Sequence, residues 1–88
     1  MRTLIVGNWK MNGLMADLEE IGAIAAAAGY PGVDSGLCLP ATLLSSATTR
    51  FVDFPFGGQD CHIAASGAHT GCVSANMLAD AGARMTIV

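Results

Sequence analysis

Four short apolar runs alternate with stretches of helical periodicity along this chain, and that alternation constrains the fold more than any other feature. Strand–helix alternation implies a parallel sheet whose crossovers are right-handed. The first run, Leu4-Ile5-Val6-Gly7, carries no charge and stops abruptly at Asn8-Trp9-Lys10-Met11-Asn12-Gly13. A continuously apolar run reads as a strand covered on both faces. Side chains alternate along a strand, so Asn8 and Lys10 are expected on one side and Trp9 on the other. An amide and an ammonium at a strand's carboxyl end stand where α/β proteins place ligand chemistry. The plainer reading makes Lys10 the first solvated residue after a core strand, and spacing alone leaves both open.

After Gly13 the apolar residues Leu14, Leu18, Ile21, Ala25 and Ala28, with Ile24 beside them, recur at helical spacing. Asp17, Glu19 and Glu20 lie in the first turns, where negative charge suits the helix dipole. Gly29 and Tyr30-Pro31-Gly32 end the element, so the pattern predicts a helix over about 15–28. Val33 to Leu39 reads as a second strand. Pro40 fits a helix start, and 41–47 reads as a short, weaker helix. Residues 54–60 read as a third strand, whose paired Gly57-Gly58 mark a close approach by another group. A long polar loop follows over 61–73, and loops of that length in compact domains are usually functional. Ser74 is a plausible N-cap for a helix over 75–81 with Gly82 at its end, and 84–88 reads as a fourth strand. The order is βαβαβαβ, read as one segment over 1–88 with no linker or low-complexity tract.

Composition limits what such a segment can be. With 88 residues this is at most one small domain, yet 52% are apolar and 12% charged, giving a mean hydropathy of +0.50. A domain of this size leaves much of its surface in water. So much apolar surface is expected to be buried by self-association or within something larger. The net charge is −3, and Arg2, Lys10, Arg50 and Arg84 are scattered, which is not the basic patch of a nucleic-acid binder. No apolar run reaches the roughly 18 residues of a membrane span. The run after Arg2 is too short for a signal peptide, so a soluble, cytoplasmic protein is expected. Cys38, Cys61 and Cys72 cannot all pair internally, which suits free thiols in a reducing compartment.

Cys61, His62, His69 and Cys72 place four potential metal ligands in one loop. Adjacent Cys61 and His62 point apart in extended chain, and the spacing of His69 and Cys72 is not that of structural zinc sites. Packing is the better account, and no metal is expected. A nucleophilic Cys61 or Cys72 would need a base and a depressed pKa, for which the sequence offers only a nearby histidine. Gly57-Gly58 is no dinucleotide fingerprint.

Val6-Gly7-Asn8-Trp9-Lys10-Met11-Asn12-Gly13 resembles the first strand and loop of the triosephosphate isomerase family. In the same order, Gly57-Gly58-Gln59-Asp60, Gly67-Ala68-His69-Thr70-Gly71, Val73-Ser74-Ala75, Met77-Leu78 and Asp80-Ala81-Gly82-Ala83 resemble its third unit. The resemblance covers the whole chain. It implies the first half of a (β/α)8 barrel of about 250 residues, through the fourth strand, so that 1–88 is an incomplete domain. It implies interconversion of dihydroxyacetone phosphate and D-glyceraldehyde 3-phosphate through an enediolate, a step of glycolysis and gluconeogenesis, with no cofactor. Asn8 and Lys10 match the family's substrate-binding Asn and catalytic Lys. The family's catalytic His and Glu would lie beyond Val88, and neither His62 nor His69 matches that His. The isolated chain is therefore expected to be inactive without the remainder of the barrel, in the same or a separate chain. Thr70 matches the tip of a loop that builds a homodimer, with Met11 in the pocket it fills, Gln59 near it, and Cys72 where the family usually has an acidic residue. A thiol there cannot make that carboxylate's ion pair. The rival reading is a non-catalytic half-barrel scaffold that self-associates through its open edges.

Overall fold

The structure, a computed structural model, describes residues 2–88. Its strands are β1 (Thr3–Asn8), β2 (Val33–Cys38), β3 (Phe56–Gly58) and β4 (Met85–Thr86). The helices are α1 (Leu18–Ala27), entered through a 3₁₀ turn at Met15–Asp17, then α2 (Ala41–Arg50) and α3 (Ala75–Asp80). All strands are parallel and lie in sequence order, β1-β2-β3-β4. They form the parallel sheet that the alternation implies, curled into the half-barrel that the resemblance implies.

The core lies between one face of the sheet and the three helices. Ile21 of α1, Leu37 and neighbouring Leu39, Leu43, Leu44 and Ala47 of α2, Phe56 of β3 and Leu78 of α3 form one buried cluster. Phe56 is fully buried, with Phe54 edge-on at 5.2 Å and Phe51 tilted at 6.5 Å. The opposite face is packed by a different device. Val6 is in register with Gly36, and two residues further along β2 Cys38 is in register with Gly57, which is in register with Met85. A Cβ on Gly57 would stand 2.5 Å from Met85 Cγ, and one on Gly36 would stand 2.8 Å from Met85 Cε. The glycines make the room that Met85 fills, which is the close approach expected of the glycine pair.

Several elements differ from expectation. The first strand is not covered on both faces: Leu4 is 60%, Ile5 58% and Val6 37% exposed. It is an edge strand that pairs only with β2 among the described residues, so nothing shields its far side. Helix α1 begins three residues late, because Asp17 Oδ2 accepts the Leu14 N–H at 2.7 Å and winds the entry into a 3₁₀ turn. Helix α2 outruns 41–47 and reaches Arg50. Thr48 Oγ1 donates to the Ala81 carbonyl at 2.7 Å, and the Arg50 guanidinium lies 5.4 Å from the Phe51 ring centre. Strand β3 is three residues long rather than seven, although Pro55 still accepts the Leu37 N–H. Strand β4 is likewise only Met85–Thr86. Ser74 caps α3 as expected, its Oγ accepting from Met77 N at 3.1 Å, while Gly82 sits one residue past the cap at φ +104°.

At the amino ends of β1 and β2, Arg2 donates to both Asp34 carboxylate oxygens, the shortest contact being 2.8 Å. The guanidinium holds the Asp34 carboxyl below its ordinary pKa. A depressed carboxyl stabilises the fold above its unfolded pKa, and the contribution fades as pH falls through the folded value. Both groups are exposed, so the pair is well screened. Asp34→Asn is expected to lower the melting temperature slightly at pH 7. The difference from the parent should vanish in about 1 M salt and below the ordinary carboxylate range, as thermal melts across pH would show.

Candidate functional site

The carboxyl end of β1 is organised by backbone geometry rather than strand alternation. The strand stops at Asn8, and Trp9 still donates its N–H to the Cys38 carbonyl at 2.9 Å. Lys10 then turns to φ +57°, the only non-glycine residue with positive φ among the described residues. Alternation therefore does not extend to Lys10, and the expected pairing of Asn8 and Lys10 on one strand face is replaced by a turn. For a residue with a Cβ, this left-handed conformation costs about 1–2 kcal/mol.

A hydrogen-bond network holds the turn. Asn8 Oδ1 accepts the Lys10 N–H at 2.9 Å and Gln59 Nε2 at 3.3 Å. The Lys10 carbonyl accepts Gln59 Nε2 at 2.8 Å and the Asn12 N–H at 2.9 Å. Asn12 Nδ2 donates to the Trp9 carbonyl at 3.0 Å. Gln59 Nε2 also reaches the Cys38 carbonyl at 3.3 Å, so one amide at the end of β3 spans β2 to grip β1. Trp9 is half-buried against the core, and Gly13, at φ +101°, passes so close that a Cβ would stand 2.6 Å from Trp9 Nε1.

This network fixes what the site offers a ligand. Two donors hold Asn8 Oδ1, which settles the amide's orientation and leaves the Nδ2 hydrogens as free donors. The Lys10 side chain is exposed, and among the described residues no carboxylate lies within 4.0 Å of its ammonium. An unpaired cation beside an amide donor, on a backbone held at the Trp9 and Lys10 amides and carbonyls, suits an anionic oxygen. Behind it Cys38 is fully buried, and burial pushes its thiol pKa up, so it stays protonated and unreactive.

The other expected site residues spread outward from this corner. Met11 follows Lys10 and is 96% exposed. Cys72 shares a cavity of about 280 Å³ with Gln59, Asp60 and Cys61. Thr70 is exposed in the loop. His62 and His69 stack with ring centres 4.0 Å apart, and His62 Nδ1 accepts the Ala64 N–H at 2.9 Å. No three His, Cys, Asp or Glu side chains among the described residues are gathered as a metal would require. A cavity of about 760 Å³ lies at the strands' amino ends between Leu4, Val33 and Phe51, and Lys10 is not in its lining.

Gln59 as a brace and Asn12 as a clamp were not legible in the sequence. Period-two alternation from Gly57 does put Gln59 on the Cys38 face, and that signal could have found it. Gln59→Leu keeps the bulk and removes the donor that serves three acceptors. It is expected to cost about 1 kcal/mol in a denaturant titration.

A family model described as triosephosphate isomerase matches residues 3–88. This chain belongs to the triosephosphate isomerase family. A triosephosphate isomerase of Jannaschia sp. (strain CCS1) is 54% identical over 89 residues, covering 99% of this chain and 36% of the relative. One of Dinoroseobacter shibae is 56% identical over 89 residues with the same coverage. The crystal structure of triosephosphate isomerase from Bartonella henselae superposes with a TM-score of 0.95 at 43% identity, over all of this chain and 38% of that one. The chain thus spans little more than a third of the length of the triosephosphate isomerases it matches. No helix among the described residues is long and apolar enough to cross a membrane.

Proposed function

We propose that this chain supplies the Asn8–Lys10 corner of a triosephosphate isomerase active site, acting on dihydroxyacetone phosphate and D-glyceraldehyde 3-phosphate. The observation that carries this reading is the unpaired Lys10 ammonium, held at φ +57° beside the free Asn8 amide donors at a strand's carboxyl end. Asn8 binds and orients the substrate through its Nδ2 hydrogens. Lys10 contacts the phosphate end and the carbonyl oxygen that becomes negative as a carbon-bound proton leaves. A fixed cation aimed at charge that develops in the transition state lowers the barrier more than it strengthens ground-state binding. The isomerisation moves protons between adjacent carbons with no net redox change, so it calls for no electron-carrying cofactor. The base and the electrophile that move those protons come from the rest of the barrel. A cytoplasmic location and a homodimer built through the loop over 61–73, with Thr70 at its tip and Met11, Gln59 and Cys72 around it, go with this reading. The exposure of Met11, Thr70 and Cys72 supports it.

The test is a graft in which residues 1–88 replace the matching segment of the Jannaschia relative. The grafted enzyme is expected to interconvert the two triose phosphates, while the 88-residue chain alone stays at background. A graft that folds as a barrel yet shows only background turnover would contradict the reading. A second reading, a scaffold that self-associates through its open edge, is favoured by the exposed Leu4, Ile5 and Val6. Sedimentation of the 88-residue chain tests this second reading: a monomer refutes it.

A further inference from the structure

We propose that Asn12 is a positioning residue for Lys10, a role that rests on the reading of Lys10 given above. Two peptide planes meet at the Lys10 Cα, and its φ and ψ are set by where those planes are held. The plane before it, between Trp9 and Lys10, is gripped at both ends: its N–H by Asn8 Oδ1 at 2.9 Å and its carbonyl by Asn12 Nδ2 at 3.0 Å. The plane after it is gripped at its carbonyl by the Asn12 N–H at 2.9 Å and by Gln59 Nε2 at 2.8 Å. Asn12 therefore reaches both planes, with its side chain on one and its backbone on the other. Among the described residues, its side chain alone holds the Trp9 carbonyl. Without that bond the first plane is free to rotate about its Asn8 contact, and Lys10 has every steric reason to leave φ +57°.

Nothing else among the described residues recruits the Asn12 side chain. Its side chain is exposed and makes no other hydrogen bond within the described residues. An exposed polar side chain with one bond adds little to the fold, which separates a positioning role from a structural one. The amide is spent on a backbone carbonyl rather than offered to a ligand, so Asn12 acts through Lys10.

In the grafted enzyme, Asn12→Ala is expected to lower kcat/KM about 10- to 100-fold, the range for a displaced positioning group, with the melting temperature nearly unchanged. Because Lys10 meets the substrate in both the ground and transition states, kcat should fall and KM should rise together. A merely structural role would reduce the folded fraction, lowering apparent kcat with KM unchanged, and that result would overturn the proposal. So would a kcat/KM within twofold of the parent. Crystal structures of the parent and Asn12→Ala grafts supply a readout independent of turnover. Lys10 should sit near φ +57° in the parent and leave that region in the variant; Lys10 unmoved in the variant refutes the positioning role. An inactive parent graft would defeat the assignment of function, while the two values of φ would still decide whether Asn12 sets the conformation of Lys10.

Discussion

Lys10→Gly is expected to stabilise the grafted enzyme while removing most of its activity. Glycine adopts φ +57° without the Cβ clash that lysine bears, so the variant should gain about 1 kcal/mol in unfolding free energy. Among the described residues the lysine side chain makes no ion pair whose loss would offset that gain. Turnover should move the other way. Removing one group that stabilises developing negative charge costs about 10²- to 10³-fold. A protein that becomes more stable and less active on one substitution has stored strain at a functional position. Paired kcat/KM and denaturant measurements check this. A variant that loses both stability and activity would show Lys10 to be part of the fold rather than a cation held against its steric preference.

Gly57→Ala carries the largest expected cost to stability. The new Cβ would lie 2.5 Å from Met85 Cγ, 2.7 Å from the Met85 carbonyl oxygen and 3.0 Å from Cys38 Sγ. A methionine side chain can swing aside, but the carbonyl belongs to a strand held in register by its ladder bonds. Overpacking of this kind costs about 1–3 kcal/mol, and contact with backbone places this case near the top of that range. The double variant Gly57→Ala/Met85→Ala separates the two obstacles. It should recover the part owed to the side chain and leave the part owed to the carbonyl, a coupling of about 0.5–3 kcal/mol in a double-mutant cycle. Full additivity of the two single changes would show that Met85 does not occupy the space the glycines leave.

These two residues also show what could be read before the fold was known. The close approach at Gly57 was legible because a glycine pair inside a strand has few other uses, and Ser74 was legible as an N-cap because its hydroxyl serves a local donor. Lys10 was legible as chemistry but not as geometry. Lysine has no preference for the left-handed region, and the network that holds it there draws on Gln59, far along the chain. The burial expected of β1 depended on neighbours that its own residues do not include. Helix α2 ran on past Ala47 because Thr48 finds the Ala81 carbonyl, a tertiary contact that outweighs weak local propensity. Asn12 was hidden for a simpler reason: an Asn-Gly pair reads as a turn, and nothing in it says which carbonyl the amide will take.

The central claim is that Asn8 and Lys10 face the substrate. The most direct measurement is a crystal structure of the grafted enzyme with dihydroxyacetone phosphate bound. The expected result places Lys10 Nζ and Asn8 Nδ2 at about 2.7–3.2 Å from oxygens of the ligand, with Lys10 still near φ +57° and Gln59 still bracing its carbonyl. A ligand bound elsewhere in the barrel, with the Lys10 ammonium turned to solvent, would contradict the account.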